Sequence, residues 1–291
     1  MRSAYTPPYF EGREGDTMAA KDCEQVLFVT YAKDGVYQIQ CSGLVPGPGH
    51  VYCTLIIGEE KCLLIDNGFG DDDFNDFPPE LVPLMEEKEL IAVATHGHFD
   101  HVGGYRNFKE MWIMHGDDET LKASFGEAYH QEEQMLGTTK LLSLEDGQIF
   151  ELGGRSVKTI ATPGHTWGSC CFYDNKAELM MTGDALNRHI FYQCVHPAVP
   201  LSLCSEKLEN LLQYKFEFVL GGHHGEPFKR EFVTRMVQLI RSFNIDKAPA
   251  YVRKDMNIQG NHRNFHKGRG YGDPDYIAII VDGDRLDEYL K

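Results

Sequence analysis

The 291-residue sequence contains no apolar run approaching the roughly 18 residues that a helix needs to span a bilayer, so it does not read as a helical membrane protein. Its opening stretch, MRSAYTPPYFEGREGD, lacks the apolar core of a secretory signal, and a cytoplasmic location is the expectation. Basic residues are scarce. Lys and Arg number 28 against 44 Asp and Glu, a net charge of −16, and such a surface repels phosphate backbones and anionic bilayers. The expected partner is therefore a small-molecule substrate, with no nucleic acid and no membrane. None of the eight cysteines forms a CxxC pair, and a chain this long buries a core without staples. Free thiols in a reducing compartment follow. Tandem repeats and low-complexity tracts are also missing, which sets solenoids aside.

What is present reads as a layered α/β protein. Residues 1–22, rich in Pro, Gly and charge, read as a flexible N-terminal arm, and 23–291 as a single domain. Strand-like segments fall at 25–31, 35–41, 50–57, 61–66, 90–94, 112–114, 148–152, 156–162, 169–174, 178–182, 216–220 and 276–281. Helical periodicity marks 77–90, 117–125, 127–136, 205–214 and 228–243. The acidic run Asp71-Asp72-Asp73 with Asp76 reads as a solvated loop ahead of a helix N-terminus.

Chemistry concentrates in Thr95-His96-Gly97-His98-Phe99-Asp100-His101-Val102-Gly103-Gly104, directly after an apolar strand. The His-x-His spacing on a tight loop brings two rings to one ion, and the Asp-His pair that follows can address a second. Imidazole suits zinc, iron, cobalt and manganese, and carboxylate suits the harder of these. Desolvating so many polar rings together without a cation is costly. Three more positions fit the same pattern: His165 in Thr162-Pro163-Gly164-His165-Thr166, Asp184 in Thr182-Gly183-Asp184, and the pair in Gly221-Gly222-His223-His224-Gly225. Each follows a predicted strand, and open α/β sheets bind their ligands at the carboxyl ends of strands.

These residues resemble the metallo-β-lactamase-fold hydrolase superfamily over about residues 25–243. The resemblance implies α/β architecture in a four-layer αββα sandwich with the metals at one edge. Carried over by position, His96, His98 and His165 hold a first divalent ion. Asp100, His101 and His223 hold a second, and Asp184 bridges the two. His223 is preferred over His224 because members usually carry glycine directly before that ligand. Asp66, in Leu64-Ile65-Asp66-Asn67-Gly68, matches an early aspartate that supports the histidine loop from behind. The implied reaction is hydrolysis of an ester, lactone, thioester or amide by a metal-bridging hydroxide, with Asp100 handling the proton. Two metal ions are expected, Zn2+ first, with Fe or Mn as substitutes.

Departures narrow the family. Secreted β-lactamases commonly place cysteine where Asp184 stands, flavin-diiron members replace the second histidine of the motif by glutamate, and nucleic-acid-processing members usually carry a basic exosite or extra domain. The glyoxalase II-like and lactonase-like branches remain. The alternative is a mononuclear-iron persulfide dioxygenase of the same fold, using His96, His165 and Asp184. A scaffold that kept the fold and lost its chemistry is disfavoured by the complete ligand set.

For the substrate pocket the sequence nominates His189 and Tyr192, in the aromatic stretch 187–200, together with Trp167 and His115. Residues 247–272 hold six Lys and Arg against the single acid Asp255. That segment reads either as a lid meeting an anionic substrate group or as a strap docking on the acidic body or on a second subunit of a homo-oligomer.

Overall fold

The computed structural model describes residues 28–41, 50–70, 78–192, 197–251, 260–269 and 273–291. The arm expected at 1–22, the acidic run from Asp71 to Asp76, and His196 lie outside the described residues.

Within them the first half of the chain builds one sheet from β1 (Phe28–Lys33), β2 (Val36–Gln40), β3 (Tyr52–Ile57), β4 (Lys61–Ile65), β5 (Glu89–Val93), β6 (Glu110–Met114), β7 (Tyr129–His130), β8 (Met135–Leu136) and β9 (Thr139–Leu144). Its order is β1-β2-β3-β4-β5-β6-β9-β8-β7. The central strands β4, β5, β6 and β9 are parallel and the flanks antiparallel. The second half opens with β10 (Ile149–Glu151), β11 (Ser156–Ala161), β12 (Cys170–Asp174) and β13 (Leu179–Gly183). It departs through β14 (His189–Phe191) and returns through β15 (Phe218–Gly221) and β16 (Phe228–Lys229), giving the order β10-β11-β12-β13-β15-β16. A small third sheet pairs β14 with β18 (Ile277–Asp282), and β18 with β17 (His262–Lys267).

Side-chain alternation explains the layering, because successive residues of a strand face opposite ways. In β4, Leu63 and Ile65 point into an apolar layer shared with Phe172, Leu179 and Met181 of the second sheet, while Cys62 and Leu64 point outward. Cys171 and Met180 look away from that layer onto α4 (Leu201–Asn210) and α5 (Glu231–Arg241). The outer face of the first sheet is covered by Leu121 and Phe125 of α3 (Asp118–Phe125), beside the short α2 (Phe99–Val102). The result is helix, sheet, sheet, helix. A bidentate Arg155–Asp174 ion pair, fully buried at 2.9 and 3.0 Å, stitches the two sheets together as Arg155 also donates to the Ile57 carbonyl. No helix among the described residues is long and apolar enough to cross a membrane.

Two expected helices give way. Residues 127–136 form the β7–β8 hairpin, with Tyr129 opposite Leu136. A spacing of seven suits a helix face as well as a hairpin, and the choice falls to β9, whose free edge takes up β8. Among the described residues of the stretch 77–90 only α1 (Val82–Met85) is helical, started by Pro83, and the chain is already extended at Glu89. The basic segment 247–272 supplies β17, hydrogen-bonded to β18 along its length, so this part is built into a sheet and not free as a lid. Residues 252–259 and 270–272 lie outside the described residues.

Candidate metal centre

Parallel strands carry their carboxyl ends to one edge of a sheet, and both large sheets use that edge alike. β4 runs out into Asp66 and β5 into Thr95-His96. β13 runs out into Asp184 and β15, parallel to it, toward His223. β11 is antiparallel to β12 and β12 to β13, so β11 also ends at this edge, ahead of His165. The two edges meet where the Cys170 amide donates to the Thr95 carbonyl at 2.9 Å.

There the seven side chains singled out in the sequence converge. His96 Nε2 lies 3.0 Å and His165 Nε2 2.9 Å from His98 Nδ1. Asp184 Oδ2 lies 3.5 Å from His165 Nε2 and 3.2 Å from His223 Nε2, and its Oδ1 3.5 Å from His101 Nε2. Asp100 Oδ2 is 3.6 Å from His223 Nε2 and 3.9 Å from His101 Nε2. Three groups have ligand atoms all within 4.8 Å of one another: His96, His98 and His165; His96, His101 and Asp184; Asp100, His101 and His223.

The outer nitrogens decide the tautomers. His101 Nδ1 donates to Asp66 Oδ2 at 2.9 Å, His165 Nδ1 to the Phe191 carbonyl at 2.8 Å, and His223 Nδ1 to the His50 carbonyl at 2.9 Å. The Thr95 hydroxyl donates to Asp66 Oδ2, which leaves it to accept from His96 Nδ1 at 3.0 Å. With one nitrogen committed outward, each of these four rings turns its other nitrogen inward. Asp66 does this from a left-handed backbone (φ 63°), a conformation worth about 1–3 kcal/mol of strain that its three hydrogen bonds, to His101 and to the Thr95 amide and hydroxyl, hold in place.

Charge divides the cluster. Burial, then the crowding of neighbouring imidazoles, holds His96 and His98 well below the ordinary histidine value, and burial lowers His165. Burial would also lower His101, but Asp100, Asp66 and Asp184 lift it well above. His223 is raised against burial by Asp184, whose own carboxyl is held far down, against burial, by His223 and His101.

Such a donor set suits divalent cations. His96 and His165 both turn Nε2 onto His98 Nδ1, whose one proton can serve only one of them, and His101 Nε2 is buried with no hydrogen-bond partner. A Cβ on Gly222 would come within 2.7 Å of both Asp184 Oδ1 and His101 Cε1, so this glycine lets the second-half loop close onto the cluster.

A family model described as the metallo-beta-lactamase superfamily matches residues 46–223, more than half of the sequence. The chain belongs to that superfamily. Among curated proteins it is similar to the acyl-coenzyme A thioesterase MBLAC2 of Homo sapiens, 28% identical over 179 residues, covering 53% of this chain and 64% of the relative. It is also similar to the hydroxyacylglutathione hydrolase GloC of Haemophilus influenzae, 29% identical over 149 residues, 46% of this chain and 66% of the relative. The match thus spans less than two thirds of either relative. A metallo-beta-lactamase from Pontibacter korlensis shares the fold, with a TM-score of 0.58 over 75% of this chain and 100% of that one at 18% identity. The metallo-beta-lactamase fold accounts for the four layers.

The pocket residues expected from sequence fare unevenly. Tyr192 is 1% exposed and packs in the core beneath α4 and α5, because β14 alternates and Tyr192 follows Phe191 onto the inner side; it is no pocket residue. His189 packs edge-on against Tyr276 at 5.0 Å, in the third sheet. Trp167, 37% exposed, stands two residues past His165 and donates to the Pro197 carbonyl at 2.7 Å. His115 is exposed. The His224 ring turns from the cluster to Phe228, 4.9 Å away, and its Nε2 accepts the Arg188 amide at 3.3 Å. Two supports escaped the sequence reading. Asn187 Nδ2 donates to Asp184 Oδ1 at 2.8 Å, and buried Gln38 donates to the carbonyls of Gly221 and His224, pinning the His223 loop to the first sheet. A signal for Gln38 existed: it shares a strand face with the core residue Val36, and a polar side chain on an inner face needs partners.

Proposed function

We propose that this chain is a binuclear metal-dependent hydrolase that cleaves an acyl bond in a small molecule, thioesters first among esters, lactones, thioesters and amides. The observation that carries this reading is the committed outer nitrogen of four histidines, which turns the inner nitrogens onto one cluster flanked by two carboxylates. His96, His98 and His165 would hold one ion, Asp100, His101 and His223 the other, with Asp184 shared. When bound, a pair of divalent ions, Zn2+ first with iron or manganese as substitutes, lowers the pKa of a shared water from about 15.7 toward neutrality and polarises the acyl oxygen.

The protein's own groups do the rest. Asp66, Thr95 and the carbonyls of Phe191 and His50 hold the rings in one tautomer and one orientation. Asp100 is the more open of the two carboxylates at the centre and is the group suited to take a proton from the attacking water and return it to the leaving group. Thioesters come first because one relative is named an acyl-coenzyme A thioesterase, and a thiolate leaves readily. A cytoplasmic location is part of the proposal: the six described cysteines are buried and no disulfide joins them.

Elemental analysis of protein purified without added metal, paired with a panel of thioesters, lactones, aryl esters and phosphodiesters, tests this reading. The expected result is two divalent ions per chain and thioester turnover without oxygen. One iron per chain with oxygen uptake on a persulfide would replace it with the dioxygenase alternative, and undiminished turnover in metal-stripped protein would refute it.

A further inference from the structure

Asp117 occupies the N-cap position of α3, where an aspartate ordinarily accepts from the second or third amide of its own helix. Here its side chain makes no cap hydrogen bond. The carboxylate, 1% exposed, turns instead into the gap between two loops. Oδ2 accepts the Gly97 amide at 2.6 Å and Oδ1 the Gly168 amide at 2.9 Å, with the Thr120 hydroxyl 3.5 Å from Oδ1. Gly97 separates His96 from His98 in the loop after β5, and Gly168 lies three residues past His165 in the loop after β11. The two loops leave different sheets, and a single charged acceptor ties them together.

His98 depends most on such a tie. The other four rings each have an outward acceptor, whereas His98 uses Nδ1 toward His96 and His165, and among the described residues its Nε2 has no protein acceptor. Its ring is placed by its backbone, which is held on one side at Gly97 and on the other by the His101 and Val102 amides on the His98 carbonyl. The fit is close on the other side too: a Cβ on Gly168 would sit 2.7 Å from Asp117 Cγ and 2.9 Å from Oδ1.

We propose that Asp117 is a positioning residue that assembles the three-histidine group from two separate loops, by holding the Gly97 and Gly168 amides on one buried carboxylate. It touches neither substrate nor metal. The proposal rests on the metal-centre reading above, and its test separates the two.

The test is Asp117→Asn, which keeps the shape but replaces one acceptor oxygen by a donor facing a backbone N–H. The full-length variant is stripped and titrated with Co2+ against a chelating indicator in two backgrounds, with circular dichroism as the check on folding. In His223→Ala, which keeps the three-histidine group, Asp117→Asn should weaken cobalt binding about 10–100-fold, the scale of lost outer-shell support. In His98→Ala, which keeps the mixed group, the change should stay within about twofold. Equal weakening in both backgrounds, or none in either, overturns the proposal. Should Asp117→Asn fail to fold, Gly168→Ala displaces the same carboxylate from the opposite side and should give the same selective loss. If the unmutated protein takes up no cobalt, the metal reading fails on its own. The tie is then judged by amide hydrogen exchange in the metal-free protein: faster exchange at Gly97 and Gly168 in Asp117→Asn supports it, and unchanged exchange at both overturns it.

Discussion

The two halves of the centre are built from the same kind of ring but differ in charge. His96, His98 and His165 are depressed by burial and then by neighbouring imidazoles, while Asp184 pulls all three back. His101 and His223 are lifted by Asp100, Asp184 and, for His101, Asp66. The first group therefore presents lone pairs at neutral pH and needs only its geometry held. In the second, the carboxylates that attract a cation also favour protons on the rings, so ion and proton compete more strongly there. Position dominates in one half and electrostatics in the other.

Asp184 is the group common to both, within 3.5 Å of a ring nitrogen on each side, so Asp184→Ala should empty both halves and reduce turnover to background. Metal analysis and a thioester assay on the same preparation check this; retention of either ion would break the symmetry assumed for Asp184. His98→Ala should also abolish turnover but cost only the first ion, and loss of both would show the halves to be one cooperative unit. Asp66→Asn should weaken the second ion about 10–100-fold and spare the first more, since Asp66 holds His101 directly but reaches His96 only through Thr95. Isothermal titration of the stripped protein reads that difference.

His224 sharpens the comparison from outside. Burial, then the charges of His223 and Arg188, lowers it from 6.5 to about 3, and its Nε2 is occupied as an acceptor. A histidine depressed in the fold takes a proton more readily when unfolded. Its contribution to stability is thus intact above the unfolded value of 6.5 and is lost as pH falls toward about 3. His224→Gln should flatten the acid limb of Tm against pH while leaving both ions bound; lost metal would mean that His224, not His223, completes the second group. The smallest effect is expected at Trp167. Trp167→Ala should raise KM severalfold with kcat nearly unchanged, because it removes uniform binding and no proton transfer. A fall in kcat alone would place the indole in the reaction and not on its rim.

Legibility followed the same division. Four of the converging residues lie within the six positions 96–101, and a contiguous motif needs no fold to be noticed. His165, Asp184 and His223 were visible because each follows a short apolar strand and a glycine-marked turn. Asp117 was not visible: at the head of a helix it reads as an ordinary cap, and nothing local reveals that its carboxylate faces Gly168, 51 residues on. Asn187 was hidden although Asp184 is only three residues before it, because the turn that brings the two side chains together is not marked by the local pattern. Tyr192 misled because aromatic character says nothing about which side of a strand looks inward until the strand has neighbours. Strands β14 and β17 passed unnoticed because His189–Phe191 and His262–Lys267 carry little apolar periodicity, and their pairing with β18 makes them strands.

By itself, then, the sequence determined the layered α/β class, the histidine-aspartate motif and its place at strand ends, since these follow from local periodicity and from the ligand chemistry of adjacent residues. Only the tertiary structure decided which of His223 and His224 turns to the cluster, which acceptor orients each ring, and which carboxylate joins the two loops. Those outcomes depend on hydrogen bonds between strands far apart in the chain, and the direction of such bonds is settled when the sheets pack.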